Sequence, residues 1–347
     1  VTVHKGTTVA ETKGFVGNFC TTLDRGGVRN DVHHGVVVIA TGAHSIKPTE
    51  YGYGTSTHVY LNLDLDVALR NRDADIVNAQ SAVFIQCVGS REPERPYCSR
   101  VCCSHSIENA IRLKEINPDM DVWVLYRDIR TYGLRENLYK EARAKGIIFV
   151  RFDLQRKPRV EINGGRPRVV VFDPILQREL SLQPDILTLA SAIETRDAEH
   201  LAKLFKIPLN PEGFYLEAHM KLWRVYFARD GVFLAGIAHW PKPTEECIAQ
   251  AKAAASRAAT VLTREYISAG GVAALINKAM CSGCRACLEC CPFGAITYLE
   301  QEARCEVNQA LCKGCGTCAA TCPSEAISLL GFSALQLYRQ IDEALSA

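Results

Sequence analysis

Ala82-Val-Phe-Ile-Gln-Cys87 is an apolar run of strand length, and the chain after it alternates between helical and strand patterns. Apolar positions at helical spacing predict a helix from Ser104 to Ile116, and Val122-Trp-Val-Leu-Tyr126 predicts the next strand. A second helix over 134–145 and a strand over 147–150 continue the pattern. Such alternation is typical of a parallel sheet with helices on its faces. The sequence therefore predicts an α/β fold.

Apolar runs before and after this segment predict further strands and one long helix. Gly35-Val-Val-Val-Ile-Ala-Thr-Gly42 predicts a buried parallel strand that leads into a tight turn. Residues 168–192 resemble a strand pair with a return strand at 184–190, and residues 231–236 predict a strand closed by glycine. Thr244 to Leu262 is a long alanine-rich helical pattern.

The composition is that of a globular protein with an unusual cysteine content. At 347 residues the chain has room for about two to three domains. The 22% of charged residues argue against disorder, and the formal charge of +2 gives no global preference for nucleic acid. We find no apolar run of signal-peptide length and none approaching the ~18 residues of a transmembrane segment. We therefore expect a cytoplasmic protein whose 16 cysteines serve chemistry rather than disulfides.

Ten of the 16 cysteines lie between Cys281 and Cys322, beyond a Gly270-Gly271 pair that predicts a linker. They contain the run Cys-x2-Cys-x2-Cys-x3-Cys-Pro twice, the pattern of bacterial two-cluster ferredoxins, in which the fourth cysteine ligates the other cluster. The predicted ligands are Cys281, Cys284, Cys287 and Cys322 for the first [4Fe-4S] cluster, and Cys312, Cys315, Cys318 and Cys291 for the second. Two zinc sites are the alternative, although zinc sites pair their Cys-x2-Cys units without a third cysteine.

A second cysteine group follows the strand at 82–87, where a nucleotide-binding unit would place a Gly-x-Gly-x-x-Gly turn. Its members are Cys87, Cys98, Cys102 and Cys103, all near the entrance to the predicted helix. Four thiolates suffice for a cluster, and a helix N-terminus offers amides and a positive dipole to its negative charge. The alternative is a redox-active disulfide between Cys87 and one of the others.

The remaining cysteines are predicted to be buried small apolar side chains rather than ligands. They are Cys20, Cys247, Cys290 and Cys305. His105 is predicted to be a helix-start residue rather than a ligand.

Several longer motifs together resemble a known family. They are Lys47-Pro-Thr-Glu-Tyr-Gly-Tyr-Gly54, Gln86-Cys-Val-Gly-Ser-Arg-Glu92, Tyr97-Cys-Ser-Arg-Val-Cys-Cys103, Pro211-Glu-Gly-Phe-Tyr-Leu-Glu-Ala-His219 and Gly231-Val-Phe-Leu-Ala-Gly-Ile-Ala-His-Trp-Pro-Lys-Pro243. Over nearly the whole chain, the sequence resembles the A subunit of heterodisulfide reductase. The resemblance implies a thioredoxin-reductase-like flavoprotein core with FAD, an inserted [4Fe-4S] cluster at Cys87, Cys98, Cys102 and Cys103, and a closing α+β ferredoxin domain with two [4Fe-4S] clusters.

The resemblance also implies domains and flavin contacts. Residues 1–80 and 193–268 are expected to form a partial FAD-binding domain, residues 81–192 a Rossmann-like parallel-sheet domain with the inserted cluster motif, and residues 269–347 the ferredoxin domain with a C-terminal helix. The implied FAD-facing turns consist of Ala40, Thr41 and Gly42 and of Gly236, Ile237, Ala238 and His239.

The chain departs from the family where the FAD pyrophosphate is held, because it contains no Gly-x-Gly-x-x-Gly turn. Either this is a partial chain, or a separate polypeptide supplies the missing half of the flavin domain. We therefore expect FAD to be shared with another chain.

By resemblance the chain is an oxidoreductase subunit that passes electrons between FAD and three [4Fe-4S] clusters, in flavin-based bifurcation or confurcation, with no catalytic residue of its own. Expected partners are other subunits of a heterodisulfide-reductase-type complex, one of which reduces the substrate, and a hydrogenase, a formate dehydrogenase or ferredoxin. A flavin-free relay module is an alternative that the missing glycine turn favours. A NAD(P)H-dependent flavin disulfide reductase is a third, but its nicotinamide domain would need the glycine turn that cysteines replace here.

Overall fold

The structure, a computed structural model, describes residues 1–266 and 272–346. The predicted linker at Gly270-Gly271 lies outside the described residues. The chain begins with an antiparallel meander, in which the two-residue turn Gly26-Gly27 takes positive φ angles of 61° and 90° that suit a tight hairpin. The first strands are β1 (Thr8–Phe15), β2 (Asn18–Arg25), β3 (Val28–His34), β4 (Val37–Ile39) and β5 (His44–Ser45).

The next segment alternates between strands and helices, as the apolar pattern predicts. Its elements are β6 (Val59–Leu61), α1 (Asn62–Asn71), α2 (Ala74–Val77), β7 (Ser81–Val88), α3 (Cys102–Ile116), β8 (Asp121–Tyr126), α4 (Glu136–Ala144) and β9 (Ile148–Arg151). Helix α3 begins two residues before the predicted start at Ser104, so that two cysteines enter its first turn.

The segment after β9 differs from its predicted strand pair. Three antiparallel strands precede the return strand, and the first begins before residue 168, where every second residue of a short, half-exposed run is apolar. These elements are β10 (Arg159–Asn163), β11 (Arg166–Asp173), β12 (Arg178–Leu182) and β13 (Ile186–Ser191).

Five parallel strands form the central sheet, in the order β6-β13-β7-β8-β9. Helices α1, α3 and α4 cover one face, with Leu65, Ile107 and Ala142 fully buried. The β10–β12 sheet covers the other face through Val169 and Val171. Strand β6 and helix α1 belong to this layer although they precede the predicted boundary at residue 80, because β6 pairs with β13.

The following elements bring the chain back to its first strands. They are β14 (Ile193–Glu194), α5 (Ala198–Phe205), β15 (Val232–Leu234) and α6 (Thr244–Leu262). Strand β15 pairs in parallel with β4, and β14 pairs with β5. Helix α6 has the predicted bounds and packs on the β4–β15 pair through Ala254 and Ala258.

Beyond the undescribed residues the chain forms two pseudo-equivalent halves, as the doubled cysteine run predicts. Its elements are β16 (Ala274–Ile276), α7 (Ala286–Cys290), β17 (Ile296–Leu299), β18 (Arg304–Val307), α8 (Thr317–Thr321), β19 (Ile327–Leu329) and α9 (Ala334–Leu345). Strands β16 and β19 pair, as do β17 and β18, and helices α7 and α8 contact each other. Lys313 of this unit forms an ion pair with Asp230 in front of β15. None of the helices in the described part of the chain has both the length and the apolar character that crossing a bilayer requires.

Candidate iron-sulfur and flavin sites

Strand β7 and helix α3 bring the four inserted cysteines together. The pairing of β7 with β13 shifts its register beside Cys87, whose backbone is left-handed with a φ of 61°. A bulge of this kind re-aims a side chain at the end of a strand. Cys102 and Cys103 occupy the first turn of α3, and Cys98 lies in the loop before it. Cys87, Cys102 and Cys103 are buried and Cys98 is partly buried.

The four thiols influence one another electrostatically. Hydrogen bonding to Cys103, burial and the neighbouring thiols raise the pKa of Cys102 well above its usual value. The same hydrogen bond lowers the pKa of Cys103 to about 7. Burial raises the pKa of Cys87 to about 11, although the guanidinium of Arg91 lies 3.9 Å from its Sγ. Buried sulfurs that lie close enough to interact fit ligation to iron, because bound metal ions supply positive charge and deprotonate coordinating thiols.

Gln86, directly before Cys87, is buried, and neither polar atom of its side-chain amide has a hydrogen-bond partner among the described residues. An unpaired buried polar group costs about 1–3 kcal/mol. A polar group bound beside this strand end would remove that cost, so the orphaned amide also fits a bound cofactor.

The two predicted ligand sets of the C-terminal unit line two separate cavities. Cys281, Cys284, Cys287 and Cys322 line the first cavity. Cys291, Cys312, Cys315 and Cys318 line the second. Each cavity thus takes three cysteines from one run and the fourth from the other, as the two-cluster pattern requires.

Backbone groups fit these cavities to anionic sulfur. The amide of Ala274 donates to Cys312 Sγ at 3.3 Å, and the amide of Ala295 donates to Cys291 Sγ at 3.3 Å. A Cβ on Gly283 would lie 2.3 Å from the carbonyl oxygen of Ala303, so only glycine lets this loop wrap so tightly. Hydrogen bonds to sulfur and close backbone are features of iron-sulfur sites.

In residues 1–266 and 272–346, no three His, Cys, Asp or Glu side chains are grouped so as to hold a single metal ion. A [4Fe-4S] cluster is held by four cysteines around a body of several atoms. Its ligands therefore stand farther apart than those of one ion. The residues present fit clusters in all three cysteine sets, and the ligand assignments themselves stay predictions. All 16 cysteines are free thiols in the structure, including those of the alternative disulfide.

The two turns predicted to face FAD lie side by side. Strands β4 and β15 are parallel, so Ala40-Thr41-Gly42 and Gly236-Ile237-Ala238-His239 follow them at the same sheet edge. Tyr215 packs against the second turn, because its amide donates to the carbonyl of Ala238 at 3.1 Å, and its hydroxyl donates to the carbonyl of Ala198 at 3.3 Å. Ligands of α/β folds bind at the carboxyl ends of such strands.

His239 of the second turn belongs to a polar cluster whose other members, Glu217, Lys242 and Gln250, were not predicted as site residues. The ammonium of Lys242 donates to the carbonyl of Gly236 at 3.0 Å and to Gln250 Oε1 at 2.7 Å. His239 Nδ1 lies 3.0 Å from the same ammonium, and His239 Nε2 lies 2.9 Å from Glu217 Oε2. Burial lowers the pKa of His239 and lowers that of Lys242 to about 8. The Lys-Pro end of the motif at 231–243 was the available sequence signal for Lys242.

This cluster forms one wall of a cavity of about 550 Å³ between the 210–225 loop and α6. Arg100 and Trp240 line both this cavity and a neighbouring one that contains Cys98. The turn predicted to face FAD and Cys98 of the inserted set therefore lie beside neighbouring cavities, and the residues present fit part of an FAD site. The glycine turn for the pyrophosphate is missing from the chain.

The four cysteines outside the three sets were predicted to be buried, and the structure confirms this for only one of them. Cys305 is buried, whereas Cys20, Cys247 and Cys290 are only partly so. The thiols of Cys247 and Cys290 instead donate to backbone carbonyls, at 3.8 and 3.5 Å. His105 lies in the first turn of α3, where its Nε2 is 2.6 Å from Asp66 Oδ2.

Comparison with known proteins gives the first independent indication of family. A family model described as a 4Fe-4S binding domain matches residues 305–328, so the C-terminal unit is an iron-sulfur domain. The structure is similar to thioredoxin reductase of Lactococcus lactis, with a TM-score of 0.50, 14% identity and coverage of 74% of either chain. The predicted thioredoxin-reductase-like fold of the core is thereby confirmed.

Curated relatives match most of the chain. One of the iron-sulfur A subunits of the CoB-CoM heterodisulfide reductase of Methanopyrus kandleri is 36% identical over 299 residues, which are 78% of this chain and 44% of that protein. The A subunit of the H2:CoB-CoM heterodisulfide, ferredoxin reductase of Methanothermobacter marburgensis is 35% identical over 319 residues, 82% of this chain and 46% of that protein. The chain spans a little under half the length of these relatives. Over the segment that it shares with them, it belongs to the oxidoreductase family formed by the A subunits of heterodisulfide reductases.

Proposed function

We propose that this chain is an electron-transfer part of a heterodisulfide-reductase-type complex. The chain itself holds three [4Fe-4S] clusters and one side of an FAD site. The observation that carries the proposal is the division of twelve cysteines into three sets of four, two of which line separate cavities with the crossed pattern of a two-cluster ferredoxin. When bound, FAD exchanges electron pairs and each cluster single electrons, which is the combination that bifurcation or confurcation needs.

The protein's own residues prepare these sites. Burial of Cys87, Cys102 and Cys103 keeps water from three of the four inserted thiols, and Arg91 places positive charge beside Cys87 while it is held by Asp128 at 2.5 Å. Backbone amides donate to the ligand sulfurs of the second ferredoxin cavity. Such donors and charges stabilise a reduced cluster, because reduction adds negative charge.

We propose further that a second chain, or a further part of the same polypeptide, completes the FAD site. The support is the pairing of the two FAD-facing turns in a chain that has no pyrophosphate-binding glycine turn. The names of the relatives as subunits support a complex with other chains. In such a complex, the substrate-reducing site belongs to a partner and the electron donor is a hydrogenase, a formate dehydrogenase or ferredoxin.

The deciding measurement is the iron, sulfide and flavin content of the anaerobically purified complex, chain by chain. We expect about twelve irons in this chain. A content of about eight would remove the inserted cluster from the proposal. Flavin that is absent even with all partner chains bound would favour the flavin-free relay instead.

Cys98→Ser tests the inserted set on its own. We expect the loss of one cluster signal in electron paramagnetic resonance and of about four irons, because the partly buried Cys98 supplies one of only four ligands. Cys20→Ser is the matched control, since Cys20 lies on β2 and belongs to no cysteine set. Unchanged spectra and iron content in Cys98→Ser would contradict the ligand role.

A further inference from the structure

The first ferredoxin cavity contains a fifth cysteine that the two-cluster pattern does not use. Cys305 lines this cavity together with the four predicted ligands, and only 1% of its surface is exposed. Cys305 and Cys287 also belong to the same buried cluster of the ferredoxin unit. The strand that carries it, β18, pairs with β17, and the loop at Gly283 packs against the turn between these strands.

The second cavity has no equivalent thiol on β18. Residues 305 and 307 point to the same side of the strand, because side chains alternate along a strand. Cys305 lines the first cavity and Val307 lines the second. One strand therefore presents a polar S–H group to one cavity and an apolar isopropyl group to the other.

We propose that Cys305 is a positioning residue that donates its S–H to a ligand sulfur in the first ferredoxin cavity and thereby raises the reduction potential of the first ferredoxin cluster. The proposal rests on the proposed cluster in this cavity. A cysteine thiolate bound to iron has lost its proton and can only accept a hydrogen bond. A hydrogen bond between Cys305 and any of these ligand sulfurs therefore requires Cys305 as the donor. A donor to a ligand sulfur favours the reduced cluster, because reduction adds negative charge to it.

The consequence is an asymmetry between two clusters with the same ligand set. Hydrogen bonds to sulfur are among the factors that set cluster potentials. The cluster beneath Cys305 is stabilised in its reduced form, and the cluster beneath Val307 lacks this contribution. The second cavity instead has the amide donors of Ala274 and Ala295, so Cys305 supplies the first cluster with a donor of a different kind.

The test is a redox titration of the whole complex, followed by electron paramagnetic resonance, with Cys305→Val. This substitution makes β18 apolar over both cavities. We expect the one-electron reduction equilibrium of one ferredoxin cluster to fall about tenfold, which is 59 mV, while the other cluster keeps its potential. Cys305→Ser keeps a donor and should restore most of the shift, and Cys20→Val on β2 should cause none.

The outcomes separate this inference from the proposed function. A normal iron content with no shift in Cys305→Val, or with an equal loss in Cys305→Ser, overturns the donor role but leaves the clusters in place. If both variants fail to load iron, infrared spectra of the unaltered complex decide. The proposal expects an S–H stretching band that moves to lower frequency on reduction of the clusters, and no moving band would overturn it.

Discussion

At the scale of single residues, Lys242 is the group whose titration should be visible. Burial lowers its pKa to about 8, whereas a lysine in the unfolded chain holds its proton to about pH 10.4. Between these values the unfolded state binds more protons than the folded state, so the stability contributed by this site rises with pH. Relative to Lys242→Met, we expect the native protein to gain about 2 kcal/mol of unfolding free energy as the pH rises from about 8 to about 10.

Urea unfolding of the two proteins at a series of pH values measures this difference. Lys252→Met is the matched control, because Lys252 lies on the same helix, α6, with its side chain exposed. A difference for Lys242→Met that stays flat across the range would mean that the buried ammonium keeps its proton. The two proteins also differ in unfolding free energy by an amount that does not depend on pH. It arises because the carbonyl of Gly236 and the amide oxygen of Gln250 lose a hydrogen-bond donor in Lys242→Met.

At the scale of elements, Arg100 connects the inserted cysteines to helix α6. Its amide donates to Cys98 Sγ at 3.3 Å, and its guanidinium donates to the carbonyl of Pro241 at 3.2 Å and to Glu246 Oε1 at 2.7 Å. Arg100→Gln removes the guanidinium contacts and keeps the amide. We expect a loss of about 1 kcal/mol, since the ion pair is partly exposed, and an altered resonance signal of the inserted cluster.

The neighbouring pair of Arg135 with Glu245 provides the control for Arg100→Gln. It also reaches the start of α6, at 2.5 Å, and involves no residue of the cysteine loop. Arg135→Gln should cost no more stability and should leave the cluster signal unchanged. Equal spectral effects of the two variants, measured by electron paramagnetic resonance, would show that Arg100 acts only through α6.

The elements also show what the sequence could and could not predict. Helix α6 was predicted with its bounds because an alanine-rich pattern begins directly after Pro243. The apolar face of a helix can be recognised from neighbouring residues of the sequence alone. Strand β10 was missed because it is a short, half-exposed run. The pairing of β6 with β13 joins distant segments, which no local pattern encodes.

The same distinction holds for the candidate sites. Spacing alone predicted the crossed cysteine sets of the ferredoxin unit, because ligands held by one loop must recur at fixed intervals. The polar cluster of Glu217, His239, Lys242 and Gln250 could not be assembled in this way. Its members come from the loop before β15, the turn after it and α6, and only the folded chain brings them together.

At the scale of the whole molecule, the ferredoxin unit meets the flavin-type core near its second cavity. Lys313, which lines that cavity, pairs with Asp230 in front of β15. Lys206 of the core lies against Gly294, where a Cβ would lie 2.0 Å from its ammonium. These contacts are local and partly exposed, so the two units should dock through weak, salt-sensitive interactions.

A double-mutant cycle with Asp230→Asn and Lys313→Gln measures this docking. We expect a coupling free energy of about 0.5 kcal/mol at low salt, which disappears at about 0.5 M salt because screening acts on exposed charges. Urea unfolding followed by the visible absorbance of the clusters reports it. The exposed pair of Arg159 and Glu179, 2.9 Å apart within the β10–β12 sheet, is the control, and its cycle should not change the absorbance transition. A coupling near zero at low salt would show that this ion pair does not contribute to docking, and a coupling that survives high salt would show that the ion pair is shielded from solvent.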